Sequence, residues 1–298
     1  MRRIAALNVA LVMSLLACSA LAGQPPKPQR LQLKSVSDVP DPFSPAGGSC
    51  TVSGDFEVKP TGTNVETRQN EVTHLLQMTV SVKSAAGAVL RTLSAETAVE
   101  APEGEASGHM VPVTLSATWD GKNDAGNLLP DGTYTYEVIG RYILRHVNTN
   151  PSGKGPENEV EQAVTPPLSG TIVLDATAPS ITDLQPPDGT FTNDNPPLVS
   201  AKFADAVSGI DPASAKLLVN GVDKTAETTV TVAGLSWQPT AALEDGDYAV
   251  SISVKDMAGN EASASTAFVV DTVDPVASIS NPASGSYLND PTPEVAAQ

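Results

Sequence analysis

Cysteine is scarce in this chain of 298 residues, which contains only Cys18 and Cys50. Cys18 lies inside an N-terminal segment that has the pattern of an export signal, so Cys50 is left without a partner. A framework of disulfide bonds is therefore excluded, and the domains are expected to be held together by core packing. Cys50 is expected to behave as a small apolar residue rather than as a nucleophile.

Positive charge is also scarce, with 17 Lys and Arg against 34 Asp and Glu and a formal net charge of −17. Such a surface repels phosphate backbones, so nucleic acid is excluded as an expected partner. It favours solubility and attracts divalent cations.

Catalytic motifs are missing from the sequence. The three histidines, His74, His109 and His146, are scattered and do not have the spacing of metal ligands. The sequence also contains no G-x-S-x-G elbow, P-loop or G-x-G-x-x-G motif. We therefore expect a protein that is not an enzyme.

Long apolar runs are limited to the N-terminus. Met1-Arg2-Arg3 is positively charged, and residues 4–17 are apolar apart from Asn8 and Ser14. This run is too short for a transmembrane helix, and its flanks fit a secretory signal. The sequence therefore predicts an exported protein.

Two ways of processing this signal remain open. Ala20-Leu21-Ala22 fits an ordinary signal peptidase site, which would make residues 1–22 the signal. Leu15-Leu16-Ala17-Cys18 resembles a bacterial lipobox, which would make residues 1–17 the signal and would place a lipid on Cys18. The protein would then be secreted, or held at the outer membrane or cell surface, with a lipid as its only membrane contact. Residues 23–37 are rich in Pro and Gln and predict a tether.

A repeat with an offset of 96 residues occupies the second half. Asp175-Ala-Thr-Ala-Pro179 recurs as Asp271-Thr-Val-Asp-Pro275, and the same offset relates Phe191 to Tyr287 and Val199 to Val295. A unit of this length matches one immunoglobulin-like (Ig-like) sandwich of about 100 residues.

The complete copy, residues 176–271, shows short segments in which apolar and polar residues alternate. Val199, Ala201 and Phe203 would share one face of a strand, and Asn220-Gly221 predicts a hairpin turn. We expect an all-β fold of tandem Ig-like sandwiches. Residues 272–298 would begin a further, truncated repeat, and the chain would be the N-terminal part of a longer protein.

Residues 38–175 predict a first sandwich, in which residues 146–168 form a long exposed hairpin loop. Both halves share one local motif. Leu129-x-Asp131-Gly132-x-Tyr134 corresponds to Leu243-x-Asp245-Gly246-x-Tyr248. In Ig-like sandwiches a Tyr near the start of one strand bonds through its hydroxyl to upstream backbone, in an arrangement called the tyrosine corner. The motif therefore predicts a structural turn rather than chemistry.

Two families are similar to these halves. Asp41-Pro42-Phe43-Ser44-Pro45, Trp119-Asp120-Gly121 and Asp131-Gly132-x-Tyr134 resemble the Ig-like domain named after the flagellar hook-capping protein FlgD. Residues 176–271, with Ser208-Gly209-Ile210-Asp211 and Asp256-x-Ala258-Gly259-Asn260, resemble bacterial Ig-like repeats of surface and adhesin-like proteins. These resemblances imply stalks, spacers and adhesion modules.

Calcium is the one cofactor that the residue pattern suggests. Oxygen-bearing side chains fall close together in one loop, as Ca²⁺ requires: Asp120, Asn123, Asp124 and Asn127. The same residue types are also those that tight turns use. Linker acids such as Asp175 and Asp271 are a second place where Ca²⁺ could clamp neighbouring domains. We still expect a protein without a resident cofactor, with Ca²⁺ at either place as the alternative.

Three functional hypotheses follow. The favoured one is a non-enzymatic structural spacer at the cell surface. The second is an adhesin that binds an extracellular protein or glycan through loops at one end of a sandwich. The third is the stalk of a larger effector or hydrolase of the RHS-repeat kind.

Overall fold

A computed structural model describes residues 30–60, 65–66, 70–100, 109–148 and 158–297. The described chain is all-β, and the single short helical segment in this part is a 3₁₀ turn at Thr225–Glu227. In the same residues no helix has the length and apolarity needed to cross a membrane. The predicted signal, the Cys18 lipidation site and residues 23–29 of the tether lie outside the described residues.

The first sandwich is formed by two antiparallel sheets. Its strands are β1 (Leu31–Val39), β2 (Cys50–Val58), β3 (Val65–Glu66), β4 (Asn70–Lys83), β5 (Val89–Ala98), β6 (Val111–Trp119), β7 (Gly132–Asn148), β8 (Asn158–Val164) and β9 (Leu168–Leu174). One sheet has the order β1-β2-β6. The other has the order β3-β4-β7-β8, with β5 also paired to β4 and β9 also paired to β7.

Alternation of side chains explains why these segments bury one face. Val80 and Val82 of β4 and Val138 of β7 are fully buried, while their neighbours along the strand lie nearer to solvent. Phe56 packs over Gly140, where a Cβ atom would overlap the Phe56 ring. Cys50 is fully buried, and burial raises the pKa of its thiol to about 12. The thiol is therefore protonated at neutral pH and occupies the core as a small apolar group.

Two segments are more ordered than their composition predicts. Residues 31–37, assigned above to the tether, belong to β1, which pairs with β2, and Leu31 is buried. The predicted loop at 146–168 contains β8, which pairs with β7. In both places the polar residues occupy the exposed side of an edge strand, so low hydrophobicity did not exclude pairing.

The second sandwich has the same layered construction. Its strands are β10 (Ser180–Gln185), β11 (Thr190–Thr192), β12 (Val199–Ala204), β13 (Ile210–Val219), β14 (Val222–Asp223), β15 (Thr229–Thr231), β16 (Gly234–Trp237), β17 (Gly246–Asp256) and β18 (Glu261–Val270). One sheet has the order β10-β12-β16-β15 and the other β11-β18-β17-β13-β14.

The predicted faces and hairpin of this sandwich are present. Val199, Ala201 and Phe203 all point into its core. Asn220 and Gly221 connect β13 to β14 with φ values of 49° and 76°. Two successive positive φ values characterise the tight turn that Asn-Gly favours, because glycine carries no Cβ and Asn tolerates this conformation.

The last described segment forms only a short ladder, between β19 (Ile279–Asn281) and β20 (Ala296–Ala297). Its apolar side chains lack a core around them. Val295 is 69% exposed, whereas Val199, its counterpart one repeat earlier, is 0% exposed.

The chain enters and leaves the second sandwich at opposite ends of β17. The incoming linker contacts Asn260, just after β17 ends, and the outgoing Thr272 contacts Asp245, just before β17 begins. Eleven strand residues at about 3.3 Å each separate these two ends by roughly 35 Å. The site described next lies where the first sandwich meets the incoming end of the second.

Candidate functional site at the domain junction

The shared Asp-Gly-x-Tyr motif forms the same turn in both sandwiches. The Tyr134 hydroxyl donates to the carbonyl of Pro130 at 2.6 Å, and the Tyr248 hydroxyl donates to the carbonyl of Glu244 at 2.9 Å. Each tyrosine thus bonds to the backbone four residues upstream. The glycines that open the strands, Gly132 and Gly246, have φ values of 149° and 146°. Other residues rarely adopt these values, so the glycine sets the direction of the strand.

The aspartates of this motif hold the chain that leaves each sandwich. Asp131 accepts a hydrogen bond from the Ala176 backbone N–H at 2.8 Å and another from the Thr177 hydroxyl. Asp245 accepts from the backbone N–H of Thr272 at 3.1 Å and from its hydroxyl at 2.8 Å. Sequence reasoning assigned these aspartates to the turn alone. Thr177 and Thr272, which follow the last strand of each sandwich, were the sequence signal that these aspartates also bind the linker.

The two tryptophans lie in the cores rather than on exposed platforms. Trp119 is fully buried, with its ring centroid 5.5 Å from Phe43 and 5.4 Å from Tyr134. Its indole N–H donates to the carbonyl of Lys122. Trp237 is 4% exposed.

The oxygens of the loop at 120–127 are engaged by protein donors. Asp120 accepts from the Lys122 backbone N–H, and Asn123 accepts from the backbone N–H groups of Ala125 and Asn127. The Asp124 carboxylate turns away to the Thr92 backbone N–H on β5. In the loop that sequence reasoning proposed for Ca²⁺, the side-chain oxygens of Asp120, Asn123 and Asp124 thus accept hydrogen bonds from the loop itself and from β5.

Three carboxylates converge instead at the junction between the sandwiches. Oxygen atoms of Asp175, Asp205 and Asp256 all lie within 4.8 Å of one another. Asp175 is 0% exposed and Asp256 is 2% exposed. In the described part of the chain, no Lys, Arg or His forms an ion pair with any of them.

Loop geometry explains how these carboxylates are held. Asp175 lies in the linker after β9, Asp205 follows β12, and Asp256 ends β17. Asp205 accepts from the backbone N–H groups of Val207 and Gly209 at 3.0 and 2.7 Å. These bonds fix the orientation of the carboxylate without neutralising it.

Asp175 and Asp256 are held in a similar way. Asp175 accepts from the backbone N–H groups of Thr177 and Ser208. Asp256 accepts from both the backbone N–H and the side-chain amide of Asn260, at 2.9 and 2.7 Å. Several oxygen atoms on ordered loops are what Ca²⁺ coordination requires. Sequence reasoning named Asp175 but missed its two partners: Asp256 begins the Asp256-x-Ala258-Gly259-Asn260 motif, and Asp205 lies three residues before Ser208 of the other motif.

A groove of about 400 Å³ lies at the other end of the second sandwich. Trp237, Leu243 and Tyr248 contribute its apolar wall, and Lys224 and Glu227 its charged rim. The Lys224 ammonium lies 6.0 Å from the centre of the Trp237 ring and 2.9 Å from the Glu227 carboxylate.

These features define the class of protein: tandem Ig-like β-sandwiches joined by a short linker that both neighbours contact. Residues 173–272 match the family model of the bacterial Ig-like domain. The FlgD-type resemblance of the first sandwich stays a prediction. A comparison with curated proteins finds no match.

Several solved structures have a similar fold. Fibronectin(III)-like modules of Clostridium thermocellum CbhA are 13% identical, with 79% of this chain and 94% of that chain covered and a TM-score of 0.29. A bacterial ice-binding adhesin of 1.5 MDa is 18% identical, with 82% and 66% covered and a TM-score of 0.35. A tetra-tandem repeat in the extending region of a large adhesion protein is 19% identical, with 85% and 53% covered and a TM-score of 0.28. At these values the similarity carries no statement about function.

Proposed function

We propose that this chain is a non-enzymatic, exported spacer that holds other domains away from a bacterial cell surface. The observation that carries the proposal is the placement of the two linkers at opposite ends of the second sandwich. A module that receives the chain at one end and releases it at the other extends an array by its full length. A module whose termini lie side by side does not.

The composition and the family match support this proposal. The predicted signal and the possible lipid on Cys18 would place the N-terminus at the membrane, and the acidic surface would keep the stalk soluble. Residues 173–272 match the bacterial Ig-like domain, and the 96-residue offset shows that part of this unit recurs in the chain. Each sandwich has its own core, so repeats can be added without altering the others.

The junction carboxylates would stiffen this spacer by holding a divalent cation such as Ca²⁺. Two unit charges about 4 Å apart repel each other by roughly 4 kcal/mol at an effective dielectric constant near 20. Asp175, Asp205 and Asp256 are drawn together against that repulsion, and their oxygen ligands suit Ca²⁺. The cation would join the linker carboxylate to two loops of the second sandwich.

The spacer proposal is tested on cells that carry a C-terminal epitope tag on the protein. Deletion of residues 176–271 should bring the tag closer to the membrane and reduce its access to an antibody. Replacement of the same residues by an unrelated Ig-like domain of equal length should restore access. Equal access with and without the domain would contradict the proposal. The Cys18→Ser variant, fractionated in parallel, should leave the membrane fraction if the lipobox is used.

The groove at the outgoing end supports a second candidate function, an adhesin that binds an extracellular glycan or protein. Its aromatic wall and charged rim are the features of many binding clefts. Lys224→Ala combined with Glu227→Ala should abolish adhesion to host or neighbouring cells if this groove binds the ligand. Unchanged adhesion in that variant would leave the spacer as the account of this chain.

A further inference from the structure

The linker between the sandwiches is bonded on its first side by the first sandwich. Asp131 accepts from the Ala176 backbone N–H at 2.8 Å and from the Thr177 hydroxyl. The Asp175 backbone N–H donates to the carbonyl of Phe43 at 3.0 Å. Bonds to a carboxylate are charge-assisted and are stronger than bonds between neutral groups.

Two of these three linker residues, Asp175 and Thr177, are bonded on the other side by the second sandwich. The side-chain amide of Asn260 donates to the carbonyls of Asp175 and Thr177 at 3.0 and 3.3 Å. The Ser208 backbone N–H donates to the Asp175 carboxylate at 3.0 Å. The linker is thus a strip of backbone and side chain clamped between two folded bodies, rather than a free tether.

We infer that Asp131 is the residue that fixes the orientation of the second sandwich on the first. Within the described residues, no strand of one sandwich packs extensively against a strand of the other. Domains joined without a large apolar interface move relative to each other by default. The orientation must therefore come from the linker, and Asp131 provides the side-chain contacts that tie residues 176 and 177 to the first sandwich. This inference rests on the proposed function as a spacer, since a spacer needs a fixed direction.

A second copy of the contact supports the inference independently. Asp245 occupies the position of Asp131 in the second sandwich and bonds both the N–H and the hydroxyl of Thr272. The tyrosine corner beside it is also repeated. The turn therefore has two duties in each repeat: it positions the strand that follows, and it holds the outgoing linker.

The test measures a distance between two spin labels by pulsed electron paramagnetic resonance. The labels are placed on Ser94→Cys and Ser263→Cys, exposed positions in the first and second sandwich. Cys50 is fully buried and stays unlabelled, and Cys18 is replaced by serine. All measurements are made in excess EDTA, so the result does not depend on cation binding.

Asp131→Ala should broaden the distance distribution by about twofold or more, as expected for domains that move freely. Asp131→Asn retains an acceptor oxygen and should restore most of the narrow distribution. Asp245→Ala removes the same contact from the outgoing linker at Thr272, which does not join the two labelled sandwiches, and should leave the distribution unchanged. If Asp131 only stabilised the first sandwich, Asp131→Ala would lower the melting temperature of the protein without changing the width of the distance distribution.

An unchanged width in Asp131→Ala would overturn the inference, as would equal broadening in Asp245→Ala. If Asp131→Ala does not fold, Thr177→Val removes the hydroxyl donor from the linker side, with the first sandwich untouched. An unchanged width in Thr177→Val would then overturn the inference. If the protein is not a spacer, the tag-access experiment will show equal access with and without residues 176–271. The spin-label distances can still show that Asp131 fixes the orientation of the sandwiches.

Discussion

The tyrosine at the start of β17 combines two contributions that single substitutions can separate. Its ring stacks on Phe268 at a centroid distance of 5.5 Å, and its hydroxyl bonds the Glu244 carbonyl. The ring contributes apolar contact, and the hydroxyl holds the turn that contains Asp245. The same division applies to Tyr134, whose ring packs against Trp119.

Tyr248→Phe should lower the free energy of unfolding of the second sandwich by about 1 kcal/mol, because one hydrogen bond is lost. Tyr248→Ala should lower it by roughly 2–4 kcal/mol, because the ring contact is lost as well. Urea unfolding followed by Trp237 fluorescence gives both values. Equal stability of the two variants would mean that the ring contributes nothing beyond its hydroxyl.

A second residue-scale prediction concerns Asp38, whose carboxylate accepts from the Tyr136 hydroxyl at 2.7 Å. Burial raises the pKa of Asp38 above its ordinary value of 3.8, with the Tyr136 hydrogen bond opposing the shift and nearby Asp41 adding to it. A raised pKa in the fold means that the protonated form is favoured there. The contribution of this group to stability is therefore complete below pH 3.8 and is lost as the pH rises through the raised pKa.

Asp38→Asn keeps an acceptor for Tyr136 but cannot carry the charge. The variant should equal or exceed the melting temperature of the parent protein at pH 7, and the difference should shrink as the pH is lowered. Thermal unfolding between pH 3 and pH 7 supplies the measurement. A variant that is less stable at pH 7 than at pH 3, relative to the parent, would refute the assigned sign.

At the scale of elements, close packing in the first sandwich, both between its sheets and within one sheet, depends on glycines that carry no side chain. At Gly140 of β7, an added Cβ would overlap the ring of Phe56 from the facing sheet. At Gly170 of β9, it would overlap the side chain of Tyr136. Both glycines allow an aromatic ring to lie directly on backbone.

Gly140→Ala should destabilise the first sandwich by about 1–3 kcal/mol, the usual cost of overpacking a core. Gly47→Ala is the matched control, because a Cβ there would lie at an ordinary 3.6 Å from the Ser44 carbonyl. The two variants are compared by chemical denaturation. Equal stabilities would show that the sheets can separate at no cost.

Much of the fold could be predicted from the sequence because its elements carry local signals. The repeat offset, the Asn220-Gly221 hairpin and the alternation in Val199 to Phe203 each determine a turn or a buried face. Two edge strands, β1 and β8, could not be predicted from composition, since each is mostly polar and is held by backbone hydrogen bonds to its neighbour, β2 or β7.

The site could be predicted only in part. The Asp-Gly-x-Tyr motif identified the turn, but its contact with the linker joins residues far apart in the chain. Asp205 and Asp256 are separated by about half of a sandwich, and their convergence on Asp175 depends on how the sheets pack. A group of two Asp and two Asn residues in one loop, at residues 120–127, gave a stronger sequence signal than the three aspartates that actually meet.

At the scale of the whole molecule, two folded modules are joined at a hydrogen-bonded junction. Cation binding at Asp175, Asp205 and Asp256 would act on this junction alone. A ligand present at about one hundred times its dissociation constant stabilises the state that binds it by about 2.7 kcal/mol. Ca²⁺ binding should therefore stabilise the whole second sandwich against unfolding.

Ca²⁺ should raise the melting temperature of the second sandwich, and EDTA should reverse the change. Asp205→Asn keeps the loop hydrogen bonds but removes one charge, and it should weaken the Ca²⁺ response. Asp124→Asn, in the loop of the first sandwich, serves as the control and should respond like the parent protein. Identical melting curves in Ca²⁺ and EDTA for the parent protein would dismiss the cation site.

The most direct test of the spacer account is the distance across both sandwiches, measured by single-molecule energy transfer in the Cys18→Ser protein. Dyes are attached at Arg30→Cys, where the chain enters the first sandwich, and at Ala242→Cys, near the outgoing end of the second. About ten residues of β7 and eleven of β17 lie between these points, so sandwiches in line predict a separation of roughly 70 Å. A separation below about 40 Å, little more than the length of one sandwich, would mean that the sandwiches fold back on each other and would contradict the account.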